Sequence, residues 1–134
     1  MGSSILVGDE SRDSRYAISE LLRHAGYDVY GASTGEDVLR LAVVQRPDLV
    51  ILEVELPGVP GYDVCHRLRE TFGEALPILF ISETRVEPLD RIAAFLIGGD
   101  DYLVKPVSAA DLLSRVRRAL MRSQKAKSRR RPAA

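Results

Sequence analysis

Short apolar runs and stretches of helical period alternate along this chain five times, and no other feature restricts its fold as much. Ser4-Ile5-Leu6-Val7-Gly8 has the unbroken apolar character of a strand covered on both faces. Ile18, Leu21, Leu22 and Ala25 then recur at helical spacing and stop at Gly26, a glycine placed to end a helix. Tyr27 to Tyr30 reads as a shorter strand, and Val38, Leu39 and Ala42 mark a second helix closed before Pro47. Leu49 to Leu52 is the third apolar run. After the turn cluster Pro57-Gly58-Val59-Pro60-Gly61, one helix face collects Val64, Cys65, Leu68 and Phe72. Pro77 to Ile81 predicts a fourth strand, with Leu89, Ile92, Ala93 and Leu96 as the apolar stripe of the helix after it, ended by Gly98-Gly99. Tyr102-Leu103-Val104 is the fifth strand, and Leu112, Leu113, Val116 and Leu120 mark a last helix capped by Ser108.

A run, a helix and a return to the next run make a crossover, and strict repetition of crossovers demands a parallel sheet with helices on both faces. Five such units predict an α/β, flavodoxin-like, doubly wound domain with strand order 2-1-3-4-5. The 134 residues suffice for one domain, and no internal repeat argues for a second.

The formal charge sums to zero but is split. Residues 1–114 hold 19 acids and 10 bases, a net of −9, whereas residues 115–134 hold 9 bases and no acid, a net of +9. The segment 123–134 has no apolar periodicity and ends in an Arg run before proline, which predicts a disordered tail or linker remnant after a domain spanning 1–122. No stretch approaches the roughly 18 apolar residues of a membrane span, and Met1 to Ser4 lacks the basic start and cleavage site of a leader. Cys65 alone excludes a disulfide framework and a cysteine zinc cluster. A cytoplasmic domain without a membrane partner is expected.

Ligands of doubly wound sheets gather at the carboxyl ends of the strands. Those ends carry Asp9 and Glu10 after the first strand, Glu53 and then Glu55 after the third, Ser82 after the fourth and Lys105-Pro106 after the fifth. Any one acid alone reads as a solvated loop residue. Together, clustered carboxylates call for a hard cation such as Mg²⁺, and a hydroxyl and a lysine facing it suit a phosphoryl oxygen.

Three segments carry a resemblance over residues 4–122: Ile5-Leu6-Val7-Gly8-Asp9-Glu10; Arg46-Pro47-Asp48-Leu49-Val50-Ile51-Leu52, continued by Leu56-Pro57-Gly58 and Gly61; and Asp100-Asp101-Tyr102-Leu103-Val104-Lys105-Pro106. Here the chain resembles the receiver domains of two-component response regulators, nearest in look to those of the winged-helix group. The resemblance implies that Asp9 and Glu10 take the acidic-pair places, Ser82 the hydroxyl place, Lys105 the phosphate-binding place and Tyr102 the aromatic-switch place. It also implies a cis Lys105–Pro106 bond, and a charged dimer face of Asp90, Arg91, Asp100, Asp101, Asp111 and Arg115 on the fourth helix, fifth strand and fifth helix.

The departures point to an atypical member. Where the family has its phosphoacceptor aspartate, this chain has Glu53. Its carboxylate lies one methylene farther out, roughly 1.5 Å, and in-line attack loses about a hundredfold for a misplacement on the order of 1 Å. Glu10 lengthens a second acid, so a Mg²⁺ site made of Asp9, Glu10 and Glu53 is expected to be weakened or lost. Glu83 beside Ser82 would crowd and repel a phosphodonor. Glu53 either mimics the charge of an aspartyl phosphate, partly and by pairing with Lys105, or fills a dead site. Cys65 is expected in the core, and His24 and His66 lack a second ligand at useful spacing.

These readings predict a non-enzymatic signalling module that acts by protein–protein contact without phosphorylation, with no certain cofactor. A second reading is the receiver fragment of a DNA-binding transcriptional regulator, since the residues after Arg122 are too few for a winged helix. Nucleic acid would then be met through an output domain, or weakly through the basic tail. A flavin-binding relative would need a phosphate-cradling loop after the first strand, where Asp9-Glu10-Ser11-Arg12-Asp13 would repel phosphate.

Overall fold

The computed structural model describes residues 2–85 and 87–130. The chain alternates strand and helix as β1 Ser4–Gly8, α1 Arg12–His24, β2 Asp28–Ala32, α2 Gly35–Gln45, β3 Leu49–Glu53, α3 Gly61–Phe72, β4 Ile78–Ser82, α4 Pro88–Ile97, β5 Asp101–Val104 and α5 Ala109–Arg130. All strand pairs are parallel, in the order β2-β1-β3-β4-β5. This is the doubly wound, flavodoxin-like arrangement that the alternation predicts.

Strand alternation divides the core between the two faces of the sheet. Leu6, Val50, Leu52, Ile78, Phe80 and Tyr102 meet Val38 and Ala42 of α2, Val64, Cys65 and Leu68 of α3, and Ala94 of α4. Ile5, Val7, Leu49, Ile51, Leu79, Ile81 and Leu103 meet Leu22 of α1 and Leu112, Val116, Ala119 and Leu120 of α5. Residues of β3 and β4 are covered on both sides, which is why their sequences read as continuous apolar runs.

Local signals bound the helices, Ser108, Gly26 and Gly98 where the sequence placed them and Ser11 and Thr34 in addition. Ser11, Thr34 and Ser108 each accept a backbone N–H of the first turn of α1, α2 and α5. Gly26 and Gly98 take the left-handed conformation just past α1 and α4 (φ 98° and 119°).

Three expectations need correction. The second strand runs Asp28–Ala32 rather than Tyr27 to Tyr30, because Gly31 and Ala32 pair with Val7 and Gly8 of β1. The stripe on α4 does not face the core: Leu89, Ile92 and Leu96 are 75%, 52% and 83% exposed, and Ala94 is buried in their place. Third, the segment from Ser123 is not disordered as far as Arg130, since α5 continues through it without a break. An already nucleated helix propagates through Gln, Lys, Ala and Arg without needing an apolar stripe, and Ser123 Oγ anchors it by donating to Ala75 O at 2.7 Å. Residues 131–134 of the expected tail lie outside the described residues. Among the described residues no helix is long and apolar enough to cross a membrane.

Candidate functional site

Register brings the strand-end residues together. Glu53 is the last residue of β3 and pairs with Ile81, and Ser82, the last of β4, pairs with Val104. Asp9 follows β1 and Lys105 follows β5. Gly61 holds the end of β3 from below: its N–H donates to Val54 O at 2.9 Å, and a Cβ there would meet Glu53 O at 2.3 Å. Only glycine lets α3 begin this close to the strand end.

Asp9 is fully buried, and both its oxygens are used. Oδ1 accepts the Ser11 N–H at 2.9 Å, while Oδ2 accepts the Ser14 hydroxyl at 2.6 Å and Lys105 Nζ at 2.9 Å. Glu53 Oε2 accepts Lys105 Nζ at 3.0 Å, and Oε1 accepts the Glu10 N–H at 3.2 Å. The lysine ammonium therefore stands between the two carboxylates. Burial pushes the Glu53 carboxyl above its ordinary 4.5, and the Asp9 charge adds to this, against the bonds from Lys105 and Glu10. Burial alone would lower Lys105, yet its bonds to Asp9 and Glu53 outweigh that and leave it raised.

A Mg²⁺ site, which the resemblance implies, fits this arrangement poorly. The Asp9 and Glu53 carboxylates already accept an ammonium and N–H and O–H donors. Glu10 reaches the site through its backbone and keeps an exposed side chain. Among the described residues no three His, Cys, Asp or Glu side chains are grouped to hold a metal ion.

Ser82 is not aimed at Glu53. Its Oγ accepts the Thr84 and Arg85 N–H groups at 3.3 and 3.0 Å and so shapes the loop into α4. Glu10, Glu53, Glu55, Ser82, Glu83 and Thr84 line a small cleft of about 110 Å³. Within it Glu55 is engaged by the Thr84 hydroxyl and by Arg85 Nε. Tyr102 is 1% exposed, and its hydroxyl donates to Arg85 O at 2.6 Å. Arg91 Nη1 donates to Tyr102 O at 3.1 Å, with the guanidinium 5.8 Å from the ring centre. The Lys105–Pro106 bond is cis.

The six charged residues expected on one face have mostly internal partners. Arg115 bridges Asp101 at 2.6 Å and Asp111 at 3.3 Å. Asp90 caps α4 by accepting the Glu87 N–H at 3.0 Å. Asp100 departs from the expected set. It precedes β5, at the opposite end of the sheet, where its Oδ2 accepts Arg69 Nη2 at 2.9 Å and the Ile78 N–H at 2.8 Å. Cys65 is buried, and burial pushes its thiol up to about 11. His24 and His66 lie on exposed helix surfaces beside Glu20 and Glu70. Sequence reasoning missed Ser14 and Arg69. Ser14 had a signal, being a hydroxyl in the helix turn next to a strand-end acid; Arg69 had none.

A family model described as the response regulator receiver domain matches residues 5–117. AfsQ1 of Streptomyces coelicolor, a transcriptional regulatory protein, is 39% identical over 125 residues, covering 93% of this chain and 54% of AfsQ1. PhoP of Bacillus subtilis, the alkaline phosphatase synthesis transcriptional regulatory protein, is 36% identical over 124 residues, covering 92% of this chain and 51% of PhoP. The chain thus spans about half the length of these relatives. Among solved structures, Vibrio cholerae chemotaxis protein CheY4 superposes with a TM-score of 0.82 at 28% identity, covering 89% of this chain and 99% of CheY4. The BeF3-activated N-terminal receiver domain of Klebsiella pneumoniae RstA gives 0.82 at 26% identity, covering 87% of this chain and 97% of that one.

Proposed function

The chain belongs to the response regulator receiver family of two-component signalling, and from that premise we propose that it works without phosphorylation, through protein–protein contacts of the face formed by α4, β5 and α5. One observation carries the reading: each Glu53 oxygen is drawn onto a donor of this chain, Oε2 onto Lys105 Nζ at 3.0 Å and Oε1 onto the Glu10 N–H at 3.2 Å. A phosphoacceptor must present an oxygen in line with the incoming phosphorus, whereas here the carboxylate stands one methylene farther out and is held in that position by the ammonium. The acids around the cleft add repulsion toward any anionic donor.

The pairing with Lys105 supports mimicry over a dead site, whereas Ser82, which mimicry would also draw inward, stays bonded to the Thr84 and Arg85 N–H groups. Glu53 draws on the lysine that the family uses for phosphate, and Tyr102 is buried with its hydroxyl fixed on the loop before α4. The exposed apolar stripe of Leu89, Ile92, Phe95 and Leu96 gives α4 a surface suited to a protein partner or a second copy. A specific observation also favours the second reading, in which this receiver is half of a transcription factor: its relatives AfsQ1 and PhoP are transcriptional regulatory proteins of about twice this length.

Incubation with acetyl phosphate and Mg²⁺, followed by intact mass spectrometry, tests the proposal. The protein is expected to stay unmodified, while Glu53→Asp together with Glu10→Asp is expected to gain one phosphoryl mass. A phosphoryl adduct on Glu53 of the parent would overturn it.

A further inference from the structure

Helix α5 carries a charge pattern that the strand-end site does not use. It spans 22 residues, against 10 to 13 for the other α-helices. Its inner side is spent on the body, where Leu112, Val116, Ala119 and Leu120 are buried and Ser123 is bonded to Ala75 O. Arg118, Arg122 and Lys125 are exposed, and their spacings of four and three residues stack them along one side of the helix. At 1.5 Å per residue the stripe is about 10 Å long. No acid follows Asp111 in the chain, so the helix offers these cations no partner on their own turns, although Arg122 shares a cleft with Glu74 and Asp100 of the body.

We propose that this stripe is a docking surface for the phosphate backbone of nucleic acid, bound without regard to base sequence. A lipid surface would need apolar side chains interleaved with the cations. Among the described residues Met121 is the one large apolar side chain that α5 exposes, and the remaining apolar side of the helix is already packed. A protein partner would need a desolvated aromatic or aliphatic anchor among the cations; on α5 itself Met121 is the one exposed candidate among the described residues, and the apolar stripe Leu89, Ile92, Phe95 and Leu96 lies on α4. A uniform line of cations without anchors fits a polymer of uniform negative charge, and the guanidinium forks of Arg118 and Arg122 match phosphate oxygens in pairs. The acidic body, with a net of −9 over residues 1–114, opposes binding of a polyanion overall and so directs what binding there is toward the acid-free end of α5.

Fluorescence anisotropy of a short labelled DNA duplex with the full chain tests the proposal. Three phosphate contacts predict a slope of log K against log salt near −2.7, or about a 40-fold loss of affinity between about 50 and 200 mM salt. Arg118→Gln/Arg122→Gln/Lys125→Gln should lose at least about tenfold in affinity at low salt with unchanged far-ultraviolet circular dichroism. Arg40→Gln/Arg67→Gln, on α2 and α3, should bind like the parent. If the triple variant loses helix, Arg118→Gln alone should lower the slope by about one. Absence of binding at about 50 mM salt, binding indifferent to the stripe variants, or equal competition by polyglutamate at matched charge would each overturn the proposal.

Discussion

Glu53 puts its carboxylate one methylene beyond the reach of an aspartate, and the ammonium of Lys105 holds it there against Asp9. The pH dependence of that arrangement has a definite sign. Burial raises the Glu53 carboxyl above 4.5, so the folded chain binds this proton more tightly than the unfolded chain. Its contribution favours folding on the acid side and declines as pH rises through the window just above 4.5. Lys105 is shifted upward from 10.5, so its contribution is complete below that value and is lost only as pH climbs past it. The melting temperature of the parent minus that of Glu53→Gln should therefore fall between pH 4.5 and neutrality and then stay level until the alkaline range. A difference that grows through the acid window would contradict the assigned shift. Cation binding follows the same geometry: titration calorimetry should give weaker Mg²⁺ binding for the parent than for Glu10→Asp/Glu53→Asp. The acids and Lys105 were legible because strand ends are points that a periodic sequence fixes. Ser82 was legible in place but not in aim, since a serine hydroxyl turns toward whichever backbone donors the following loop presents, here Thr84 and Arg85.

Elements were read best where two periodicities agreed and worst where exposure decides. The β1, β3 and β4 runs were unmistakable because both faces of those strands are covered. Helix α4 was assigned its stripe at the correct spacing but on the wrong side, because periodicity gives a face and not its neighbour. Its inner contact is the small Ala94, which leaves the larger residues outside. An exposed Leu contributes little to stability, so Leu96→Ser should leave the unfolding free energy from urea titration within about 0.5 kcal/mol of the parent. Arg69 is the opposite case. It donates to Gly98 O, Gly73 O and Leu76 O and pairs with Asp100, tying α3 to the turns before β4 and β5. Losing it would leave several carbonyls without their donor and Asp100 with the Ile78 N–H alone, so Arg69→Ala should cost about 3 kcal/mol in urea unfolding. A loss below about 1 kcal/mol would mean that water replaces the clamp without penalty. Nothing in the sequence distinguishes Arg69 from Arg67 two residues earlier, since its partners are carbonyls supplied by the fold.

At the scale of the whole molecule, a path of contacts connects the pocket to the outer face. Glu53 holds Lys105 at the end of β5, Tyr102 lies in that same strand, its hydroxyl fixes Arg85 O before α4, and Arg91 of α4 returns to Tyr102 O. Such a path transmits a state only if its two ends interact differently with two arrangements of the molecule. The charge of Glu53 is the term that can differ, since the Lys105 ammonium has Asp9 as its other partner. Removing that charge should therefore release Lys105 toward Asp9, loosen Tyr102 and change the presentation of Leu89, Ile92 and Leu96. Glu53→Gln keeps the shape and removes the charge, while Glu53→Ala removes both. Under mimicry, both variants should associate several-fold more weakly with themselves or a captured partner in sedimentation velocity, and the two should match closely. Tyr102→Phe keeps the ring but removes the hydroxyl bond to Arg85 O, and it should fall between them and the parent. If Glu53→Gln associates like the parent while Glu53→Ala does not, shape rather than charge sets the face. If neither differs from the parent, the path is packing alone and Glu53 fills a site that no longer switches.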